Sequence, residues 1–326
     1  MNKFKFYFIL TITTLSLFSC SKSDTVADVP LREYATQHET DKTDIEEYLK
    51  TYYITVTDHA GFTDDQDVTF TKIPTGGLQP TIYSFLDSAT YPKLLSKEVS
   101  LHDIKYKLYY LVLREGVGAS PCNVDGVLAA YKGDYLARKT VETVTTLSAT
   151  TFETVKYPQQ FLSLFTTITG WGEGFPLFKT GTTSSNTDGT VSFNNFGAGV
   201  LFIPSGLAYY NNGAGSIPSY SPLVFSFKLY EIQRLDQDQD GIPSYQEDNG
   251  DGFLRVLATG VTNPDDTDKD GIPDFIDIDD DADNFTTKLE LKKPDGTYHT
   301  FGTVPSCSGQ TVKRYLTASC KPPYIN

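Results

Sequence analysis

Alternation of apolar and polar positions is clearest in the middle of the chain. In IKYKLYYLVLREGVG (104–118), Tyr106, Leu108, Tyr110 and Val112 alternate with Lys107, Tyr109, Leu111 and Leu113, which predicts a strand buried on at least one face. VDGVLAAYKG, PQQFLSLFTTITG, GVLFIP and PLVFSFKLYEI read as further strands, and WGEGFPLFKTG as a short helix. Upstream, YYITVTDHAGFTDDQDVTFTKIP places two alternating runs around a polar, Gly-containing turn, the pattern of a hairpin. A helix is expected from Thr43, where Thr43 and Glu46 fit a capping box and Ile45, Tyr48 and Leu49 share a face. ARKTVETVTTLSATT and TTSSNTDGTVSFNNF are loop-like by composition. Strands around one short helix indicate an α+β fold.

The first twenty residues change the picture of where the chain works. Lys3 and Lys5 precede an apolar run from Phe6 to Phe18, shorter than the ~20 residues that span a bilayer. This is the pattern of an export signal. Leu17-Phe18-Ser19-Cys20 resembles a bacterial lipobox, which implies lipidation of Cys20, membrane attachment and an outer-membrane lipoprotein of the bacterial cell envelope. Residues 21–40, polar and irregular, suit a tether. Export brings an oxidising compartment. A Cys307–Cys320 disulfide closing the Pro- and Ser-flanked C-terminal loop is expected, worth roughly 3 kcal/mol on loop entropy. Cys122 is then left over and is expected to be a small buried residue rather than a nucleophile.

Charge is uneven. The formal net charge is −14, yet sixteen acidic residues against only Arg255 and Lys269 lie between Asp236 and Asp283, so this one segment holds the whole imbalance. No basic stripe accompanies it, which argues against nucleic-acid binding. His38, His59, His102 and His299 form no metal or catalytic spacing, and no GxSxG occurs.

Five separated stretches carry a resemblance: REGVGASP (114–121), AAYKG (129–133), ITGWGEGFPLFKTG (168–181), IPSGLAYY (203–210) and GSIPSYSPLVFSFKL (215–229). In this order they resemble the FKBP-type peptidyl-prolyl cis-trans isomerase domain over residues 104–232, and the tethered, aspartate-tailed form resembles lipoproteins of gliding and related Bacteroidetes-type bacteria. The resemblance implies a half-open antiparallel sheet wrapped around one short helix. Aromatic residues would line the pocket between them. It implies Trp171 as pocket floor, Tyr131, Phe152, Phe161 and Phe225 as walls, a backbone N–H from Ile168, and the Tyr209 hydroxyl as donor to a bound carbonyl. Glu153 stands where the family carries Asp, and the loop before it is longer than the family's. No cofactor is implied for catalysis, and the substrates would be proline-containing polypeptides. The same groove would serve a non-catalytic peptide-binding scaffold.

DQDQDGIPSYQE (236–247) matches the calcium template D-x-D-x-D-G-x5-E, with Asp236, Asp238, Asp240, the Ile242 carbonyl, Ser244 and Glu247 at ligand positions. A second copy begins thirty residues later with Asp266, Asp268, Asp270, Ile272, Asp274 and Asp277, and Asp279, Asp281 and Asp283 extend its alternation. A strand precedes the first loop, and Pro243 and Pro273 remove the N–H through which paired EF loops bridge. The pattern instead resembles thrombospondin type 3 repeats, which implies structural Ca2+ in a segment that is extended without it. Calcium-dependent surface adhesion is a further reading of this segment. The expected organisation is signal (1–19), tether (20–40), helix-plus-hairpin extension (41–103), isomerase-type domain (104–232), calcium segment (233–285) and disulfide-bearing tail (286–326).

Overall fold

The computed structural model describes residues 31–258 and 260–323. The export signal and Cys20 lie outside the described residues. Glu33–Asn326 form one compact unit. Its elements are α1 (Tyr34–Thr51), β1 (Tyr52–Val56), β2 (Val68–Lys72), β3 (Lys93–Leu101), β4 (Ile104–Arg114), β5 (Gly126–Val141), β6 (Val144–Val155), β7 (Leu162–Ser163), α2 (Thr169–Gly174), β8 (Thr182–Ser185), β9 (Val191–Asn194), β10 (Gly197–Ile203), β11 (Leu223–Gln233) and α3 (Thr287–Glu290). The main sheet runs β3-β4-β10-β11-β5-β6, all antiparallel, with β7 also on β5.

Period-two alternation divides this sheet between two cores. On one face Tyr106, Leu108, Leu201, Ile203, Phe225 and Phe227 pack with Trp171 and Phe175 of the α2 region. On the other, Tyr109, Leu111, Val200, Phe202 and Val224 pack against Ile45, Tyr48 and Leu49 of α1. The central strands are therefore buried on both faces, and the N-terminal extension is the second layer rather than an appendage.

Four expectations are corrected. The helix begins at Tyr34, not Thr43, so residues 34–40 are helical rather than tether. Thr43 sits mid-helix, its hydroxyl donating to Glu39 O at 2.8 Å. The apolar pattern hid this turn because its buried face is polar: Gln37 and Asp41 are almost fully enclosed. Second, the boundary at 104 divides a hairpin. β3 pairs with β4 through a two-residue turn, His102-Asp103, both at positive φ.

Third, the two loop-like insertions are hairpins. β5 and β6 pair from Val141↔Val144 down to Tyr131↔Val155, and β8 pairs with β9. Threonine makes these stretches polar by composition while its β-branch suits a strand. Fourth, the acidic segment neither stands alone nor ends at 285. Ile242 shares a small core with Leu291, Val304 and Tyr315, and Phe275 packs with Val124 and Leu254. Asn123 Nδ2 donates to Leu254 O at 2.7 Å, and Arg234 pairs with the fully buried Asp125. The β1–β2 hairpin forms as the alternation predicts. Cys307 and Cys320 are disulfide-bonded, their Cα atoms 6.1 Å apart. Cys122 is free and half-buried, and burial raises its thiol pKa.

Candidate functional site

α2 is short because Pro176 lies just past its end, in the 3-10 turn Phe175–Leu177. Its glycines let it lie close on the sheet: a Cβ at Gly174 would meet Leu201 Cδ1 at 2.5 Å. Glu173, on the buried side, pairs with Lys97 of β3 at 2.7 Å. This presents Trp171, 4% exposed, as the floor of a cavity of about 470 Å3. The indole stands edge-on to Tyr131 (centroids 5.0 Å) and Phe225 (5.1 Å), and Phe152 stands edge-on to Phe225 (5.6 Å). Edge-to-face packing at these distances fixes the ring positions.

Phe152 and Glu153 are neighbours, so regular strand alternation would point only one of them inward. The register of β5 against β6 slips here: Gly133 opposes Glu153 and Asp134 opposes Thr151. Phe152 is the extra residue of a bulge, and both side chains line the cavity. Gly133 makes room for them, since a Cβ there would run into the Phe152 and Phe225 rings. The Glu153 carboxylate faces the Tyr131 hydroxyl. Burial first, and that carboxylate second, raise the Tyr131 pKa. Burial and the Glu153 charge likewise raise Tyr209, which is 37% exposed at the mouth.

Ile168, Trp171, Tyr131, Phe152, Glu153, Tyr209 and Phe225 thus share one cavity wall. Phe161 does not. It packs against Gly126, and Leu162 lines the cavity in its place. Pairing of Leu162 with Val127 turns alternate residues of β7 to opposite sides. Apart from the Glu153 carboxylate, the lining is made of apolar side chains and of tyrosine and threonine hydroxyls.

Two supports were not legible in sequence. The Asp41 carboxylate accepts from Ser205 N (2.7 Å) and Ser205 Oγ (2.6 Å), holding the turn Ser205–Leu207 that leads to Tyr209. On the opposite rim, Phe165 stands edge-on to Phe275 of the acidic segment, centroids 5.4 Å apart. Thr166, Thr167 and Ile168 follow it directly into the cavity wall.

The acidic segment contains three loops of one geometry, not two. In each, the sixth residue donates its N–H to the first carboxylate at 3.0 Å: Gly241 to Asp236, Gly271 to Asp266, Asn284 to Asp279. In each, the seventh N–H bonds the fifth carboxylate, and the fourth and sixth residues have positive φ. A helical turn closes each loop: Ser244–Gln246, Asp274–Ile276 and α3. The third loop, Asp279–Glu290, was missed because Asn284 replaces the glycine. Asn is the other residue that tolerates this conformation, and the Glu at position twelve was there to be read.

Each loop brings three carboxylates together, with one oxygen from each within 4.8 Å of the others: Asp236, Asp238 and Asp240; Asp266, Asp268 and Asp270; Asp279, Asp281 and Asp283. Other expected ligands behave differently. Ser244 Oγ accepts from Gln237 N, and Asp274 accepts from Thr267 N and Oγ1, so both brace the loop interior. Asp277 lies outside its loop's triple, with its Oδ1 bonded to Asp279 N. The Ile242 side chain is buried in the small core and that of Ile272 is exposed. Glu247 meets Asp240 and Asp280 instead of the first-loop triple. Burial, then neighbouring carboxylates, pushes Glu247 up to about 11 and Asp280 up to about 10. All-oxygen sets of this kind fit a hard divalent cation.

Residues 237–314 match a family model described as BamM C-terminal. The chain is 30% identical over 145 residues to the FKBP-type peptidyl-prolyl cis-trans isomerase FkpA of Aeromonas hydrophila, covering 44% of this chain and 45% of that one. Part of the chain is homologous to FKBP-type isomerases. The chain spans less than half the length of that curated relative. Among solved structures, a peptidyl-prolyl cis-trans isomerase from Pseudomonas syringae pv. tomato aligns at 17% identity and TM-score 0.33, over 61% of this chain and 95% of its own. FkpA from Escherichia coli aligns at 20% and 0.31, over 61% and 60%, and the N-terminal domain of FKBP42 from Arabidopsis thaliana at 18% and 0.30, over 44% and 98%.

Proposed function

We propose that the protein is a peptidyl-prolyl cis-trans isomerase acting on X–Pro bonds of exported polypeptides. The observation that carries this is the cavity in which Trp171, Tyr131, Phe152 and Phe225 meet edge to face. Rotation about a peptide bond meets a barrier of roughly 18–20 kcal/mol, because the planar amide is resonance-stabilised and strongly dipolar. The twisted amide is less dipolar. A water-poor aromatic cavity therefore destabilises the planar state relative to the twisted one, which is differential binding of the transition state. The proline ring would rest on Trp171. The Tyr209 hydroxyl would donate to a flanking carbonyl, and the edge-on packing of Tyr131 against Trp171 and Phe225 would hold the wall. No nucleophile or proton transfer is needed.

In the same reading Cys20 anchors the protein to the bacterial envelope, and the acidic loops take Ca2+ as a structural ion that fixes them against the isomerase-like body. The test is a coupled X–Pro isomerisation assay on the full chain and on Trp171→Leu, which keeps much of the buried volume. The expected result is a rate above background that falls on the order of tenfold or more in the variant. A background rate in the wild type with retained binding of a proline peptide would leave a non-catalytic scaffold instead.

A further inference from the structure

We infer that Asp280 joins Asp240 and Glu247 in a single cation site that bonds the first acidic loop to the third. The three side chains come from different turns, yet one carboxylate oxygen of each lies within 4.8 Å of the other two. All are more than nine-tenths buried: Asp240 is 2% exposed, Glu247 4% and Asp280 1%. Both oxygens of Glu247, both of Asp280 and Oδ2 of Asp240 are buried with no hydrogen-bond partner among the described residues. The Thr287 hydroxyl, beside Asp280, offsets only a little of the burial. The basic group nearest in influence, Lys288, spends its ammonium on Gln239 O at 2.9 Å.

Three buried carboxylates at this separation repel when ionised, and the one oxygen of the six that the protein answers is Asp240 Oδ1, which accepts from Ile242 N. A cation does. Ca2+ takes its oxygens at 2.3–2.6 Å, so oxygens on one ion lie no more than about 5 Å apart. The observed spacing fits that limit.

The site rests on the calcium reading of the acidic segment and adds a ligand from outside both sequence-matched loops. It has a structural role: Asp280 is the second residue of the third loop, Glu247 closes the first, and Tyr315 of the tail is near enough to feel the charge of both. One ion would thereby fasten residues forty positions apart.

Full-chain protein should be titrated calorimetrically with Ca2+ and melted in Ca2+ and in chelator, comparing wild type, Asp280→Asn and Asp236→Asn. Asp280→Asn should weaken Ca2+ binding by at least about tenfold. Its melting temperature should fall relative to wild type in Ca2+ and rise in chelator, because a carboxyl whose ionisation burial opposes has been removed. A merely structural side chain would not give opposite signs. Tb3+ emission excited through tyrosine should also drop in Tyr315→Phe, a readout taken with Asp280 in place. Should Asp280→Asn bind Ca2+ like wild type while Asp236→Asn does not, the calcium loops stand and the cross-loop site falls. Should wild type bind no Ca2+, both fall. Unchanged Tb3+ emission in Tyr315→Phe would likewise overturn the site.

Discussion

Asp41 of the N-terminal helix grips Ser205 by both its backbone N–H and its hydroxyl, at 2.7 and 2.6 Å. The two residues are 164 apart in sequence and wholly buried, and Gln37 Nε2 donates to the same carboxylate at 2.6 Å. Asp41→Ala leaves the Ser205 donors unanswered and should cost about 1–3 kcal/mol in denaturant unfolding. It should also lower isomerase activity through Tyr209, four residues on. Ser205→Ala, which keeps the backbone donor, should be milder on both counts.

The same carboxylate sets a pH dependence. Burial pushes Asp41 up to about 6, against the Ser205 and Gln37 hydrogen bonds that lower it. A carboxyl raised in the fold favours the folded state most when both states are protonated. That contribution is complete below about pH 4, is lost as pH rises from about 4 to 6, and is flat above. Unfolding free energies of wild type minus Asp41→Asn should fall across that window by up to about 3 kcal/mol. A difference that rises with pH would contradict the assignment.

Gly133→Ala tests the shape of the cavity. The added methyl collides with the Phe152 and Phe225 rings, so one ring must swing into the space over Trp171. Overpacking of this kind costs roughly 1–3 kcal/mol. Binding of a proline peptide should weaken more than stability falls, as read by Trp171 fluorescence, the chain having a single tryptophan.

Glu153→Gln separates charge from shape. The amide keeps the shape of the side chain beside Tyr131, while the charge that raises the Tyr131 and Tyr209 pKa values is gone. Tyrosine titration of the variant should move to lower pH. Catalysis that depends on a dry apolar cavity should be kept within a few-fold, and a loss of orders of magnitude would assign the carboxylate a chemical role.

Much of the cavity was legible through the family resemblance, because the motifs that carry Trp171, Tyr131 and Phe225 fall on regular elements, a short helix and two central strands. Phe161 was not, since β7 is two residues long and its register depends on pairing with β5. The bulge at Phe152 is likewise a property of two strands together. The helix start at Tyr34 was hidden by buried polar residues that make sense only once Ser205 and Arg138 are seen opposite Asp41 and Asp44. The third acidic loop was present in the letters but disguised by one Asn-for-Gly exchange. Asp280 carries no signal at all, for its partners belong to another loop.

The Phe165–Phe275 contact makes one edge of the cavity a shared wall. Phe275 belongs to the turn that closes the second acidic loop, and Phe165 leads straight into Thr166, Thr167 and Ile168. The rim on that side is only as stiff as the loop behind it. Under the proposed calcium reading, a chain folding in a compartment poor in divalent ions would complete its sheet and its aromatic floor and still present a mouth with one slack lip.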